Sequence, residues 1–320
     1  MTAARNKAPL HVVTGAFGYS GKYIARRLMA EGVRLRTLTN SIDRENEFGN
    51  ALEIHPYNFE NPEVLAGSLA DASVLYNTYW VRFDHKEFNH DKALRNTLTL
   101  IGAAKKAGVK RIVHTSITNP SEDSDLPYFK CKALLERAVR DSGIPYAILR
   151  PTVLFGKEDI LINNIAWMLR CFPVFAIFGD GKYKLQPIYV DDFAALAVEQ
   201  GKKSGHATID AVGPETFAYR ELVEAIGCAI GKKKSLINVP PQLVYLIGRL
   251  VGAVVGDVVI TMEEIRGLMA NRLYTSSSPA GPTRFTDWMA DHAGELGKHY
   301  SSELARRRDR RTGYDVLRKI

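Results

Sequence analysis

The chain is predicted to fold as a doubly wound α/β protein with a smaller, mostly helical C-terminal domain. Three observations predict it. Short apolar runs alternate with longer helical patterns through the first half, the runs are almost continuously apolar, and a glycine-rich turn joins the first run to the first helix. Strands that are apolar throughout have both faces covered, which means parallel pairing with helices on either side.

The elements follow in order. Residues 10–14 (LHVVT) read as a buried strand and 20–30 as a helix. Residues 33–39 and 52–56 are the second and third strands, and Pro62 opens a short helix as a first-turn proline can. A fourth strand spans 72–77. A helix over 92–107 is stopped by Gly108, a fifth strand spans 111–116, a helix over 126–142 is stopped by Gly143, and a sixth strand spans 146–149. After Pro151 glycine, proline and aromatic residues interrupt the rhythm. A strand over 186–190 and a helix over 191–200 are expected to return to the sheet, and 213–300 reads as mostly helical. The predicted domains are 8–155 with 183–212 returning, a smaller substrate domain of 156–182 and 213–302, and a basic tail of 303–320.

Composition narrows the class. Hydrophobic residues make up 46% and charged residues 24% of 320, which excludes a disordered, collagen-like or coiled-coil chain. Such a length buries a core without disulfides or metals. Cys131, Cys171 and Cys228 form no C-x-x-C pair, so neither a zinc site nor a disulfide framework is expected, and a reducing compartment fits. No secretory signal is read at residues 1–9. The apolar run 243–262 is broken by Gly248, Arg249, Gly252, Gly256 and Asp257 and is not expected to span a membrane. The expected location is cytoplasmic, with peripheral contact to the inner membrane face through 243–259 and the arginine tail. The net charge of +8 is concentrated at the ends, where Arg5, Lys7 and the run Arg306-Arg307-Arg308-Asp309-Arg310-Arg311 lie. A nearly neutral body argues against nucleic acid; the expected ligand is a small molecule.

The turn Thr14-Gly15-Ala16-Phe17-Gly18-Tyr19-Ser20-Gly21 carries the first chemical signal. Its glycines suit a tight turn, close approach to a pyrophosphate, and close helix–strand packing. The helix N-terminus offers free N–H groups to phosphates. Gly15, Phe17, Gly18, Tyr19 and Gly21 are therefore assigned to a dinucleotide. After the second strand the chain reads Thr39-Asn40-Ser41-Ile42-Asp43-Arg44. No acid closes the strand to bind a ribose 2′-hydroxyl. Asn40, Ser41 and Arg44 instead suit a 2′-phosphate, so NADP(H) is favoured over NAD.

Tyr128 and Lys132 are four apart, on one face of the helix after the fifth strand. A phenol titrates near pH 10, and a neighbouring ammonium makes it a usable acid–base group at neutral pH. With both motifs in place the chain resembles the extended and atypical short-chain dehydrogenase/reductases of Rossmann type. Within them it is nearest the branch holding the accessory subunit of mitochondrial complex I, with the NmrA-like proteins as neighbours. The likeness rests also on Ile148-Leu149-Arg150-Pro151, on Gln186-Pro187-Ile188-Tyr189-Val190-Asp191-Asp192 and on Asn77-Thr78-Tyr79. The resemblance implies NAD(P) binding, with Asn77, Thr78, Lys132 and Pro151 beside the cofactor. It implies an NADP-dependent reductase, dehydrogenase or epimerase-like enzyme acting on a carbonyl or hydroxyl group. The alternative is a nucleotide-occupied structural subunit or redox sensor without turnover. The family places a hydroxyl after the fifth strand; here Ser116 and Thr118 both alternate onto one side of an extended chain, and either suits the role. His114 reads as a core histidine. Trp80, Phe155, Asn163, Asn164, Trp167 and Tyr189 are the candidate substrate-lining residues. Asp191 or Asp192 is expected to cap the following helix, and no metal site is expected.

Overall fold

The computed structural model describes residues 8–314. The chain divides into two units. The first takes the chain through Pro151 together with Phe193–Ala211; the second takes Thr152–Asp192 and the chain from Val212 on.

The first unit is built on a seven-stranded parallel sheet. Its strands are β1 (Leu10–Thr14), β2 (Arg34–Leu38), β3 (Leu52–His55), β4 (Ala72–Asn77), β5 (Arg111–Thr115), β6 (Tyr146–Pro151) and the later β11 (Ala207–Ala211), in the order β11-β6-β5-β4-β1-β2-β3. The order reverses between β1 and β4, so the crevice at the carboxyl ends of those two strands is the topological switch point. Helices α1 (Tyr19–Ala30), α2 (Pro62–Ser68), α3 (His90–Lys106) and α4 (Pro127–Asp141) make the crossovers. Local chemistry starts them as expected. Asn61 and Asn89 accept from the backbone N–H groups of Val64 and Lys92, and Pro62 and Pro127 occupy first-turn positions. The core holds Val12, Leu38, Leu65, Leu75, Leu100, Ile112, Val139 and Ile148.

The strand that returns to the sheet is β11, paired with β6 from Ala207↔Ala147 to Ala211↔Pro151. Residues 188–189, inside the segment expected to return, instead form β10 (Ile188–Tyr189), which pairs with β7 (Leu154–Phe155) in the second unit. Arg111 fixes the return: Nε donates to the Gln200 carbonyl at 2.5 Å and an Nη to that of Gly205 at 2.7 Å. Helix α6 (Val190–Gly201) contains the boundary between units.

The second unit packs α5 (Leu161–Cys171), α7 (Tyr219–Ala229) and α10 (Phe285–His292) around Phe155, Phe178, Leu222, Ile226, Phe285 and Trp288. Strand β8 (Val174–Phe178) pairs in parallel with β13 (Ser235–Val239), and α8 (Pro241–Val255) packs against β8. The expected basic tail is folded through residue 308: α11 (Glu303–Arg308) is capped by Ser302. Arg306 is buried and donates to the Glu158 carbonyl at 2.8 Å, and Arg307 pairs with Glu303 at 2.6 Å. Arg5, Lys7 and residues 315–320 lie outside the described residues.

Candidate functional site

The glycine turn is closed by backbone bonds. The Gly15 N–H donates to the Leu38 carbonyl and the Gly18 N–H to the Gly15 carbonyl, both at 2.8 Å. Gly15 has φ +68°, in the left-handed region that disfavours side chains. A Cβ on Gly21 would collide with the Gly15 carbonyl oxygen and lie 2.8 Å from its carbon; one on Gly18 would lie 3.2 Å from the same oxygen. The backbone of β1 and the first turn of α1 thus meet with no side chain between them. Gly18 stands at the N-cap, no side chain caps α1, and its first turn carries no acid. Those N–H groups and the positive helix end suit a phosphate. Phe17 is buried and stacks on Phe48, ring centres 6.4 Å apart. Tyr19 meets Tyr23 edge-on.

Asn77 and Thr78 act on the turn itself. The Thr78 hydroxyl donates to the Thr14 carbonyl at 2.5 Å, and the Thr14 hydroxyl donates to the Asn77 Oδ1 at 3.2 Å. The Asn77 amide donates to His114 Nδ1 at 3.0 Å. Burial, then the Lys132 charge, hold the His114 imidazole well below its ordinary value, so the ring is neutral and Nδ1 accepts. These side chains clamp the ends of β1, β4 and β5 together. At the end of β2 the 2′-phosphate candidates separate: Asn40 is exposed, Ser41 half-buried and Arg44 only 5% exposed. A solvent-facing loop charge is thereby excluded for Arg44. Pro151 ends β6, and its carbonyl accepts from the Thr118 N–H at 3.0 Å.

Tyr128 and Lys132 both lie against the ring of Trp80. The Lys132 ammonium lies 4.4 Å from the centre of the Trp80 ring, a cation–π distance. Tyr128 meets the same ring edge-on at 5.8 Å. Lys132 also donates to the Thr115 carbonyl at 2.8 Å. It is 2% exposed, and burial pushes its ammonium down to about 7 against the pull of the Glu136 carboxylate. Two residues not foreseen from the sequence complete the cluster. His90 stacks on Trp80 and meets Tyr128 edge-on at 5.5 Å, and its Nδ1 lies 2.8 Å from Asp84 Oδ1.

Ser116 and Thr118 have different settings. The Ser116 hydroxyl donates to Glu136 Oε1 at 2.6 Å. Glu136, 1% exposed, also accepts from Arg150 Nε at 2.8 Å, Arg150 Nη2 at 2.6 Å and Arg140 Nη2 at 2.8 Å. Burial opposes ionisation of Glu136, yet the bonds from Arg150, Ser116 and Arg140 hold its carboxyl below the usual range. Ser116 is thereby tied into a buried ion network with Glu136, Arg150 and Arg140. Glu136 lies four residues after Lys132 on the same helix, and that spacing was the available signal. Thr118 is fully buried.

The candidate substrate residues of the second unit need correction. Phe155 is fully buried and packs on Phe285 and Trp288. Asn163 donates to the His299 carbonyl at 2.8 Å and the Ser301 hydroxyl at 3.0 Å, and accepts from the Gly297 N–H at 3.1 Å. Asn164 exchanges two backbone bonds with Ser301. Trp167 meets Tyr300 edge-on, and Tyr189 packs on Phe155. Phe155, Asn163 and Asn164 are core and scaffold residues; Tyr189 packs with Phe155 and Trp288, and Trp167 with Phe172 and Tyr300. Asp192 accepts from the N–H and hydroxyl of Thr283 at 2.8 and 3.1 Å, where a cap of its own helix was expected. Among the described residues no cluster of three or more metal-ligating side chains forms.

The NmrA-like family model matches residues 10–280. Among curated proteins the chain is 26% identical over 240 residues to the mitochondrial NADH dehydrogenase (ubiquinone) 1 alpha subcomplex subunit 9 of Arabidopsis thaliana, covering 71% of this chain and 60% of that protein. It thus spans less than two thirds of that relative's length. It is also 26% identical over 250 residues to a photosystem II assembly factor of Guillardia theta, covering 75% of this chain and 76% of that protein. Among solved structures, a triphenylmethane reductase of Citrobacter sp. complexed with NADP(H) matches with TM-score 0.69 at 19% identity, over 89% of this chain and 99% of that one. An NADPH-dependent quinone oxidoreductase of Escherichia coli complexed with NADPH matches with TM-score 0.69 at 20% identity, over 90% and 99%. These structural likenesses show the fold, a Rossmann-type α/β sheet with flanking helices.

Proposed function

The chain belongs to the NmrA-like family, and on that premise we propose that it binds NADP(H) at the β1–α1 turn and uses Tyr128 and Lys132 in carbonyl–hydroxyl redox chemistry. The observation that carries the reading is the shared ring: the phenol and the ammonium both lie against Trp80. The side-chain-free approach of Gly15, Gly18 and Gly21 supports a pyrophosphate there. The buried Arg44 supports the 2′-phosphate. When bound, the nicotinamide supplies the hydride chemistry that amino-acid side chains lack. Tyr128 gives or takes the proton of the substrate oxygen. Lys132 stabilises the phenolate and holds the ribose. Thr118, which follows β5, steadies the oxygen, while the Ser116 hydroxyl donates to Glu136.

A second reading is a nucleotide-bound structural subunit or redox sensor. The same engagement of Ser116 favours it, as do the relatives, one a subunit and one an assembly factor. One paired experiment separates the two. NADPH affinity and turnover are measured on ketones, quinones and nucleotide sugars for the parent, Tyr128→Phe and Lys132→Ala. The enzyme reading expects Tyr128→Phe to lose about two to four orders of magnitude of turnover with NADPH affinity kept, and Lys132→Ala to lose both. Tight NADPH binding with no turnover on any compound selects the second reading.

A further inference from the structure

Helix α8 has two unlike sides. Val244, Gly248, Gly252 and Val255 are buried, and the glycines allow close approach: a Cβ on Gly252 would lie 2.5 Å from the Asp257 carbonyl oxygen. Leu243, Leu246, Ile247, Leu250 and Val254 are exposed, Leu250 at 64% and Val254 at 87%. Their spacing draws one apolar stripe along the helix. The sequence leading into and through the helix is basic. From Ala225 through Gly256 the chain has no Asp or Glu, but it has Lys232, Lys233, Lys234 and Arg249. The three lysines lead into β13, whose partner β8 packs against α8. On the face shared by those paired strands, Val174 and Ile237 are also exposed, at 44% and 46%.

We propose that α8 is a membrane-surface element, lying in the plane of an anionic lipid bilayer with its leucine stripe among the acyl chains and its basic residues at the headgroups. An amphipathic helix with an exposed apolar face and basic residues beside it is the pattern that binds such surfaces. It does not cross: no described helix is long and apolar enough to span a membrane. A second copy of the chain is the poorer occupant. A two-fold interface sets a patch against itself, so Lys232, Lys233, Lys234 and Arg249 would be brought toward the same four residues of the second copy. The inference does not rest on nucleotide binding.

The test is co-sedimentation of the full chain with vesicles of phosphatidylcholine alone, or containing about one-third phosphatidylglycerol. Binding to the anionic vesicles only, weakened by salt, is the expected result. Leu246→Glu with Leu250→Glu removes the stripe and should abolish binding. Replacing Lys232, Lys233 and Lys234 by Gln should weaken it roughly a hundredfold, taking about fivefold per charge. All these side chains are solvent-facing or nearly so, so the fold is expected to persist; an unchanged melting temperature verifies this. Failure of the parent chain to bind anionic vesicles, or parental binding by the leucine variant, overturns the proposal. So does a dimer in solution that Leu250→Glu dissociates, since it hands the stripe to a second copy.

Discussion

The Lys132 ammonium lies 4.4 Å from the centre of the Trp80 ring while donating to the Thr115 carbonyl. An ammonium at 2% exposure is costly in itself. The ring face and the carbonyl are what make the position tenable, and they tie the one buried lysine of α4 to the end of β5.

This burial predicts an unusual dependence of stability on pH. The Lys132 ammonium is held down to about 7 when folded, against the ordinary 10.5. Between those values the unfolded chain binds more protons, so this group's contribution to stability rises with pH from about 7 upward. Lys132→Met should therefore be more stable than the parent near pH 7, by about 2–4 kcal/mol. The gap should narrow toward pH 10. Urea unfolding of both proteins at pH 7, 8.5 and 10 checks it; a gap that widens with pH contradicts the assignment.

Gly18 and Gly21 should fail differently. Gly18 has a side-chain-tolerant φ of −94°, so Gly18→Val is expected to fold and to lose NADPH binding, because the branched side chain fills the phosphate approach. Gly21→Val sets a side chain into the Gly15 backbone and should cost about 3 kcal/mol or more. Fluorescence titration with NADPH and thermal melting of each variant separate the two effects.

Arg44 predicts cofactor choice. A buried guanidinium bonded to the 2′-phosphate should make NADPH bind at least about tenfold more tightly than NADH. Arg44→Met keeps the apolar stem and should erase most of that preference. Calorimetric titration with both nucleotides is the check; equal parental affinities would remove Arg44 from the site.

Ser116 and Glu136 are predicted to matter for stability rather than turnover. Ser116→Ala should cost about 1 kcal/mol and leave any turnover near the parent value, whereas Thr118→Val should reduce it. Glu136→Gln should cost about 2–3 kcal/mol, less than a fully buried pair because Arg150 and Arg140 keep 26% and 39% exposure. The Glu136 carboxyl is depressed in the fold, so its stabilisation is present above the ordinary carboxylate range and lost as pH falls through the folded value. Denaturant curves between pH 3 and 7 should show this acid sensitivity in the parent and not in Glu136→Gln.

Local patterns were readable where the chain repeats its own period. Residues 10–14 and 72–77 read as strands to the residue, because short, mostly apolar runs flanked by turns have few alternatives. The glycine turn and the Tyr128–Lys132 face were likewise local. The misses are long-range. Ala207–Ala211 is a short edge strand that becomes recognisable only beside β6, and the more apolar 186–190 took its place. Asn163 and Asn164 look like pocket amides until Ser301 and His299 arrive from the far end of the chain. The arginine run looks like a solvated tail until the Glu158 carbonyl claims Arg306. Periodicity reports which side of an element is apolar; it does not report which distant backbone group a polar side chain will meet.

The placement of β11 against β6 has a consequence for synthesis. Ribosomes deliver β1 through β6 first, and residues 152–206 must follow before β11 exists. Throughout that interval β6 presents an open parallel edge, the kind of surface on which nascent chains pair wrongly or recruit chaperones. Arg111 waits in the same interval without the Gln200 and Gly205 carbonyls that satisfy it at the end. A chain truncated after Pro151 should therefore collect in inclusion bodies, and supplying residues 193–211 in trans should not rescue it cheaply, since the lost covalent link raises the entropy cost of closing the sheet.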